Sequence, residues 1–295
     1  MVPDRHTVPA VGGRLPIRRY GEAVHFRRRK AQFQGIGPLL PEGETISARE
    51  DEQWRDQHTW DPSRGTSLAI EHDLTPAAWL EPRLVPGSFE VRMTSPQGYE
   101  AYARIFFPFT DRTTVGADGK AVKKDISWRD LARQNGWRAH ALMEQETITW
   151  DRATDEADLR KPRSDLSSEQ LEALLPILAR HTSSTHGWFL LWHGYGDLNE
   201  RVFNDTVPMV HHPMRDFYLL RGPLSSYRDF PHGPNYWWPE DQAWCVATDT
   251  DFAWSYVAAS AACIEELLAV SVMDAWETKS ENPARSGMDV INEPD

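Results

Sequence analysis

Residues 243–258 read AWCVATDTDFAWSYVA. Trp244, Val246 and Thr248 alternate with Cys245 and Ala247; Phe252, Trp254 and Tyr256 then alternate with Ala253, Ser255 and Val257. A period of two puts successive side chains on opposite faces of a strand. Asp249-Thr250-Asp251 lies between the two runs. Two alternating runs joined by a short polar turn predict an antiparallel hairpin over 243–258. Ser260 then stands where an N-cap belongs, ahead of a final helix over AACIEELLAVSVMDAW (261–276) with Ile264, Leu267, Leu268 and Val272 as its apolar stripe.

Working outward, GWFLLWH (187–193) and DFYLLRG (216–222) are apolar on both faces, as central strands are. The 22 residues between them exceed the usual connection length, so that loop is functional or carries a short pairing of its own. LSSEQLEALLPILAR (166–180) carries a capping box, Ser167 with Gln170, and a stripe of Leu171, Leu174, Leu175 and Leu178; Pro176 is expected to kink it. SWRDLARQNG (127–136) opens on Ser127 and stops at Gly136. SFEVRM (88–93) and GYEAYARIFFPF (98–109) read as strands, the second ended by Pro108.

Strands and helices are thus partly segregated along the chain. That predicts an α+β fold: a single domain with a largely antiparallel (mixed) sheet, helices packed on it, and an extended N-terminal arm. The boundaries are an extended or partly disordered arm at 1–75, a globular domain at 76–278 and a polar tail at 279–295. Trp54 and Trp60 are placed to lay the arm over the body, and RRRK (27–30) makes the arm locally basic.

The formal net charge is −12 over 295 residues. Residues 1–75 are neutral, with 11 basic and 11 acidic groups, so the excess lies on residues 76–295, with 21 basic and 33 acidic groups. A body this acidic repels phosphate backbones, which disfavours nucleic-acid binding by the main domain. Two cysteines, Cys245 and Cys263, are too few for a disulfide framework or a four-ligand zinc site. No leader-like apolar run opens the chain and no stretch approaches 18 apolar residues, so no membrane span and a reducing cytoplasmic setting are expected.

The chemistry-bearing motifs are few. The sequence holds no G-x-S-x-G, no P-loop and no G-x-G-x-x-G. No histidine pair has the H-E-x-x-H spacing. Asp249-x-Asp251 offers two hard oxygens to a divalent ion, but Asp is equally a turn residue that bonds its own backbone. NYWWP (235–239) is less usual. In an extended segment Trp237 and Trp238 point opposite ways, so one is core and the other is covered by the arm, covered by a partner, or exposed near Arg221, Glu240 and Asp241 as a stacking anchor. The candidate binding residues are therefore Trp237, Trp238, Asp249, Asp251, Arg221, His193 and Tyr195. No catalytic residue, metal ligand or cofactor is assigned.

The segments GYEAYARIFFP, ISWRDLARQNG, GWFLLWHGYG, FYLLRGPL and NYWWPEDQAWCVATDTDF together resemble an uncharacterised actinobacterial protein family, over roughly residues 80–275. The resemblance implies one domain and a bacterial cytoplasmic setting, and no reaction. In that family an acid stands at the place of Asp249 and an Asp at that of Asp251, while Gly-Gly is frequent where this chain has Ala258 and Ala259; the departure weakens any role needing close backbone approach there. A weaker likeness, at fold level, is to Smi1/Knr4-type immunity and adaptor proteins. The first functional expectation is a non-catalytic binding or adaptor protein, immunity-like, whose partner is a protein with a basic surface or a small molecule. The alternative is a metal-assisted hydrolase or transferase acting through Asp249, Asp251 and His193.

Overall fold

Local alternation and side-chain caps build most of the elements. In the structure, a computed structural model that describes residues 58–115, 119–144, 160–212 and 214–292, the strands are β1 (Ala69–Ile70), β2 (Ala101–Phe106), β3 (Phe109–Val115), β4 (Ala121–Ile126), β5 (Arg160–Pro162), β6 (His186–Trp192), β7 (Met209–His211), β8 (Asp216–Pro223), β9 (Tyr236–Pro239), β10 (Cys245–Thr248), β11 (Trp254–Ala259) and β12 (Ala275–Thr278). Among the described residues the α-helices are α1 (Trp128–Gln134), α2 (Ser168–Arg180) and α3 (Ala261–Leu268). All three open on a serine whose hydroxyl accepts a backbone N–H of the first turn: Ser127 from Asp130, Ser167 from Gln170, Ser260 from Cys263. The Ser167–Gln170 capping box is complete. Gly136 follows α1 at φ +73°, where a side chain would be strained.

The main sheet runs β1-β8-β6-β9-β10-β11-β2-β12, with β7 also on β8. Its named pairs are all antiparallel. The hairpin expected at 243–258 is present, with Cys245 opposite Ala258 and Thr248 opposite Ser255. A smaller sheet, β4-β3-β5, leaves β2 after Pro108. The fold is α+β and sheet-dominated, and all described residues belong to one compact unit. No helix among them is long and apolar enough to cross a membrane.

The sheet has two buried faces. On one, α2 and α3 cover Ala103, Ile105, Phe189, Leu191, Trp237, Trp244, Val246 and Val257. On the other, residues 74–84 cover Leu190, Trp238 and Cys245, while α1 and residues 137–143 and 284–288 cover Phe106, Trp254 and Tyr256. The stripe of α2 is Leu171, Leu174, Ile177 and Leu178, with Leu175 only partly buried; the helix continues through Pro176.

Several expectations are corrected. Residues 88–93 form no strand: Val91–Met93 is a 3-10 turn, Phe89 sits at φ +56°, and Val91 and Arg92 donate to the carbonyls of Asn282 and Ser280. The final helix stops at Leu268; Asp274 turns left-handed at φ +43° and the chain re-enters the sheet as β12, leaving Val272 exposed. The long loop before β8 does carry its own pairing, β7. Residues 58–75, expected to belong to an arm that Trp60 lays over the body, do lie against it: Trp60 bridges Leu198 and donates its indole N–H to the Asp229 carbonyl at 3.0 Å, and β1 pairs with β8. In the expected tail, Ala284, Met288 and Asp289 are buried. Trp54 and the basic run 27–30 lie outside the described residues.

Candidate functional site

One end of the sheet gathers the ends of β6 and β10 and the starts of β8, β9 and β11. Buried Asn235 fixes their mutual placement. Its Oδ1 accepts the Trp192 backbone N–H at 2.8 Å and its Nδ2 donates to the Thr248 carbonyl at 3.2 Å. Trp192 and His193 are thereby held beside the β10–β11 turn.

That turn is Asp249-Thr250-Asp251, and Asp249 Oδ1 accepts the Asp251 N–H at 2.9 Å, the local bond that makes Asp a turn residue. A second partner arrives from before β8. Arg215 Nη2 donates to Asp249 Oδ1 at 3.1 Å and to Asp251 Oδ2 at 2.5 Å, and the guanidinium lies 4.9 Å from the Trp192 ring centre. Arg215 is mostly buried, as is Asp249, whereas Asp251 is 77% exposed. Three buried polar atoms here have no hydrogen-bond partner: Arg215 Nε, His212 Nε2 and Thr250 Oγ1. Burial holds the His212 imidazole below its ordinary pKa. His193 is exposed, its Nδ1 3.1 Å from the Asp216 carbonyl.

Tyr195 links this corner to a second one. Its ring packs edge-on to Trp192 at 5.4 Å and stacks on His232 at 5.0 Å. His232 Nε2 meets Asp197 Oδ2 at 2.8 Å, and that hydrogen bond raises the imidazole and lowers the carboxyl. Burial pushes the Tyr195 phenol up to about 12. Nearby, Tyr227 donates to Asp165 Oδ1 at 2.5 Å, and Leu166 N–H donates to the same oxygen at 2.7 Å. Gly233 at φ +67° lets them meet: a Cβ there would lie 2.5 Å from Asp165 Oδ2 and 2.8 Å from the Tyr227 oxygen. Burial pushes the Asp165 carboxyl up to about 6. The corner thus holds a carboxyl that titrates near neutrality, two phenols and a carboxylate-backed imidazole.

The Asp165 shift has a measurable consequence. A carboxyl raised on folding binds its proton more tightly in the native state. It contributes stability fully below its unfolded pKa of about 4, and that contribution is lost as pH rises through about 6. Asp165→Asn keeps an oxygen for Tyr227 and Leu166. It is expected to stabilise the protein by about 1–2 kcal/mol at pH 8 and to change nothing below pH 4. Urea unfolding at both pH values decides; a variant weaker than wild type at pH 8 would show instead that the ionised carboxylate is wanted.

Of the residues picked from sequence, His193, Tyr195, Asp249 and Asp251 come together at this rim. Arg221 lies at the opposite end of β8, paired with Glu240 at 2.7 Å. Trp237 and Trp238 sit mid-sheet and point to opposite faces as expected, and both are 0% exposed, so of the three alternatives for the second ring the exposed stacking anchor is excluded: the chain itself covers it. Trp238 is covered by Trp79, at 5.5 Å and edge-on, and by Leu80 and Leu84. Cys245 is buried and its thiol is raised by desolvation.

Sequence reasoning missed Arg215, Trp192, Asp165, Tyr227 and the His232–Asp197 pair. Arg215 stands 34 and 36 positions from its two carboxylates, and no local pattern marks it. Among the described residues, no group of three or more His, Cys, Asp or Glu is arranged to hold a metal ion. No protein-family model, curated protein sequence or solved structure matches the chain.

Proposed function

We propose that this is a non-catalytic binding or adaptor protein, immunity-like in its logic, that takes a partner with a basic surface at the β6–β9–β10 rim. One observation carries the reading. The Asp249–Asp251 turn already holds a guanidinium, that of Arg215, stacked on Trp192. The corner is therefore chemically fit for a cationic side chain. The outward Asp251 carboxylate is exposed enough to accept a second one from outside. Asp197 and Asp216 lie at the same rim, and the excess of negative charge on residues 76–295 steers a basic partner toward it. The likeness to the actinobacterial family and a cytoplasmic setting belong to this proposal; two buried free thiols accord with a reducing compartment.

The test is affinity capture from source cells with wild-type protein and with Asp249→Asn/Asp251→Asn, both confirmed folded by circular dichroism. A specific basic protein retained by wild type, eluted by salt and at least about tenfold depleted on the variant is expected, because paired charges at an interface are worth about 1.5 kcal/mol or more. Identical sets of captured proteins on both would remove the reading.

A second reading, a small-molecule enzyme, is favoured by the Asp165–Tyr227 and His232–Asp197 corner, which sets a carboxyl raised to about 6 near a carboxylate-backed imidazole. Its metal-assisted form, through Asp249, Asp251 and His193, must displace Arg215 from between the two carboxylates. Calorimetric titration with Mg²⁺, Mn²⁺ and Zn²⁺ tests that form, and heat that vanishes in Asp251→Asn would revive it.

A further inference from the structure

At the end of the sheet opposite the rim, where β1 pairs with β8, an open, shallow cleft of about 260 Å³ is lined by Ser67, Ala69, His186, Arg221 and Gly222. The backbone builds it. Ala69 pairs with Arg221 and Ile70 with Leu220, which lays Ser67 along one wall. Gly222 packs closely on the chain before β1: a Cβ there would come within 2.9 Å of Leu68 Cδ2 and 3.0 Å of the Ser67 carbonyl. His186 opens β6 on the other side, with Thr185 Oγ1 3.1 Å from its Nδ1 and its carbonyl taken by the Glu240 N–H.

Arg221 stands in this cleft already oriented. Its guanidinium lies 5.5 Å from the Trp188 ring centre, and Nη2 donates to Glu240 Oε1 at 2.7 Å. Guanidinium offers five N–H donors in a planar fork, and Glu240 takes a single one of them here. Both side chains of this pair are about half exposed. An ion pair in water contributes about 0–1 kcal/mol, so its exchange for another oxyanion costs little. Glu240 thus stands where a ligand's oxyanion would.

We propose that this cleft is a binding site for a small molecule carrying a phosphate group. A phosphate takes the fork of Arg221 in bidentate fashion, in place of the Glu240 carboxylate. Ser67 and His186 line the same shallow cleft, and their hydroxyl and imidazole would supply the remaining donors to the phosphate. The site does not depend on the rim: it lies at the other end of β8 and shares no residue with it.

The test uses the full chain and two probes, inorganic phosphate and glycerol 3-phosphate, titrated calorimetrically into wild type, Arg221→Gln, Glu240→Gln and Asp251→Asn. Saturable one-to-one binding is expected in wild type. Arg221→Gln is expected to weaken it at least about tenfold, since a charge-assisted bidentate contact is lost. Glu240→Gln is expected to tighten it about three- to tenfold, because the competing carboxylate is gone while the fold, read by melting temperature, is unchanged. Asp251→Asn is expected to bind as wild type does, which keeps this result separate from the fate of the rim reading. Binding of both probes unaltered in Arg221→Gln, no saturable binding in wild type, or weaker binding in Glu240→Gln would each overturn the proposal. Glycerol 3-phosphate binding more tightly than inorganic phosphate supports a phosphorylated metabolite over the free ion.

Discussion

Trp237→Ala is expected to lower the unfolding free energy by about 3–5 kcal/mol, read as a shift of the urea midpoint by circular dichroism. The ring is 0% exposed at the centre of the sheet's helix-covered face. It touches the Tyr227 and Trp244 rings at 4.9 Å each and stacks on Phe189 at 6.4 Å, 10° from parallel. Truncation removes the transfer energy of the largest side chain and leaves a void that three aromatic neighbours and two helices cannot easily fill. Domains of ordinary stability have about 5–15 kcal/mol in total, so the variant stands close to unfolding at 37 °C. Trp237→Phe discriminates packing from hydrogen bonding. The Trp237 indole nitrogen has no partner, so phenylalanine forfeits volume alone. Trp244→Phe forfeits in addition the bond from its indole N–H to the Leu178 carbonyl at 2.9 Å, about 1 kcal/mol more. Met214→Ala, at a 59% exposed position, is the control and is expected to change stability by less than about 0.5 kcal/mol. If Trp237→Ala unfolds at the wild-type midpoint, the ring is not buried as described.

The same tryptophans show how far the sequence is legible. Alternation in 243–258 is a local signal, and it predicted the hairpin because each residue's face is set by its own backbone. The serine caps are local too, since cap and acceptor lie three residues apart. That Trp237 and Trp238 point opposite ways followed from the strand period. That both are buried did not, because Trp238 is covered by residues 79–84, more than 150 positions upstream. SFEVRM failed for a similar reason. Its alternation suits a strand, but the hydrogen bonds it finds come from residues 280 and 282, and they fit a 3-10 turn. The small sheet β4-β3-β5 was missed because its sequences, such as TDRTTV and AVKKDI, carry no apolar alternation, and residues 122–125 of β4 are exposed. At the rim, the Asp-x-Asp pair was readable as a turn or a cation site, and its cation turned out to be Arg215, a residue singled out by geometry alone.

Arg104→Ala is expected to cost about 3–5 kcal/mol, a loss matched by that of Trp237 although the side chain is charged. Arg104 sits mid-strand in β2, 1% exposed, between Tyr256 of β11 and Trp276 of β12. Its guanidinium lies 3.6 Å from the Trp254 ring centre and 4.4 Å from that of Phe106. Nη1 donates to the Ala141 carbonyl at 2.6 Å and Nη2 to the Met143 carbonyl at 3.1 Å. Desolvation pushes it down to about 10, while buried Glu144 and Asp289 act in the opposite sense, so it remains a cation at neutral pH. The two carbonyls belong to the segment that lids this face, and the same segment is pinned from its other side: Glu144 Oε2 accepts the N–H groups of Gly287 and Met288 at 3.0 and 3.1 Å, and His140 meets Asp289 at 2.8 Å. Alanine leaves one buried and one partly buried carbonyl unpaired and removes the nearby positive charge from two buried carboxylates, each a loss of more than packing. Arg104→Met fills the space and keeps the ring contacts, so it isolates the polar loss and is expected to cost about 2 kcal/mol. Lysine does not serve as a conservative replacement, because a single ammonium cannot fork to both carbonyls in the geometry that guanidinium holds. Hydrogen exchange supplies the readout that a general destabilisation would not: in Arg104→Met, protection is expected to fall first within residues 137–144 and 284–292, with β6, β8 and β9 unchanged. Uniform loss across the sheet would show that Arg104 is only part of the core's filling and does not hold the lid.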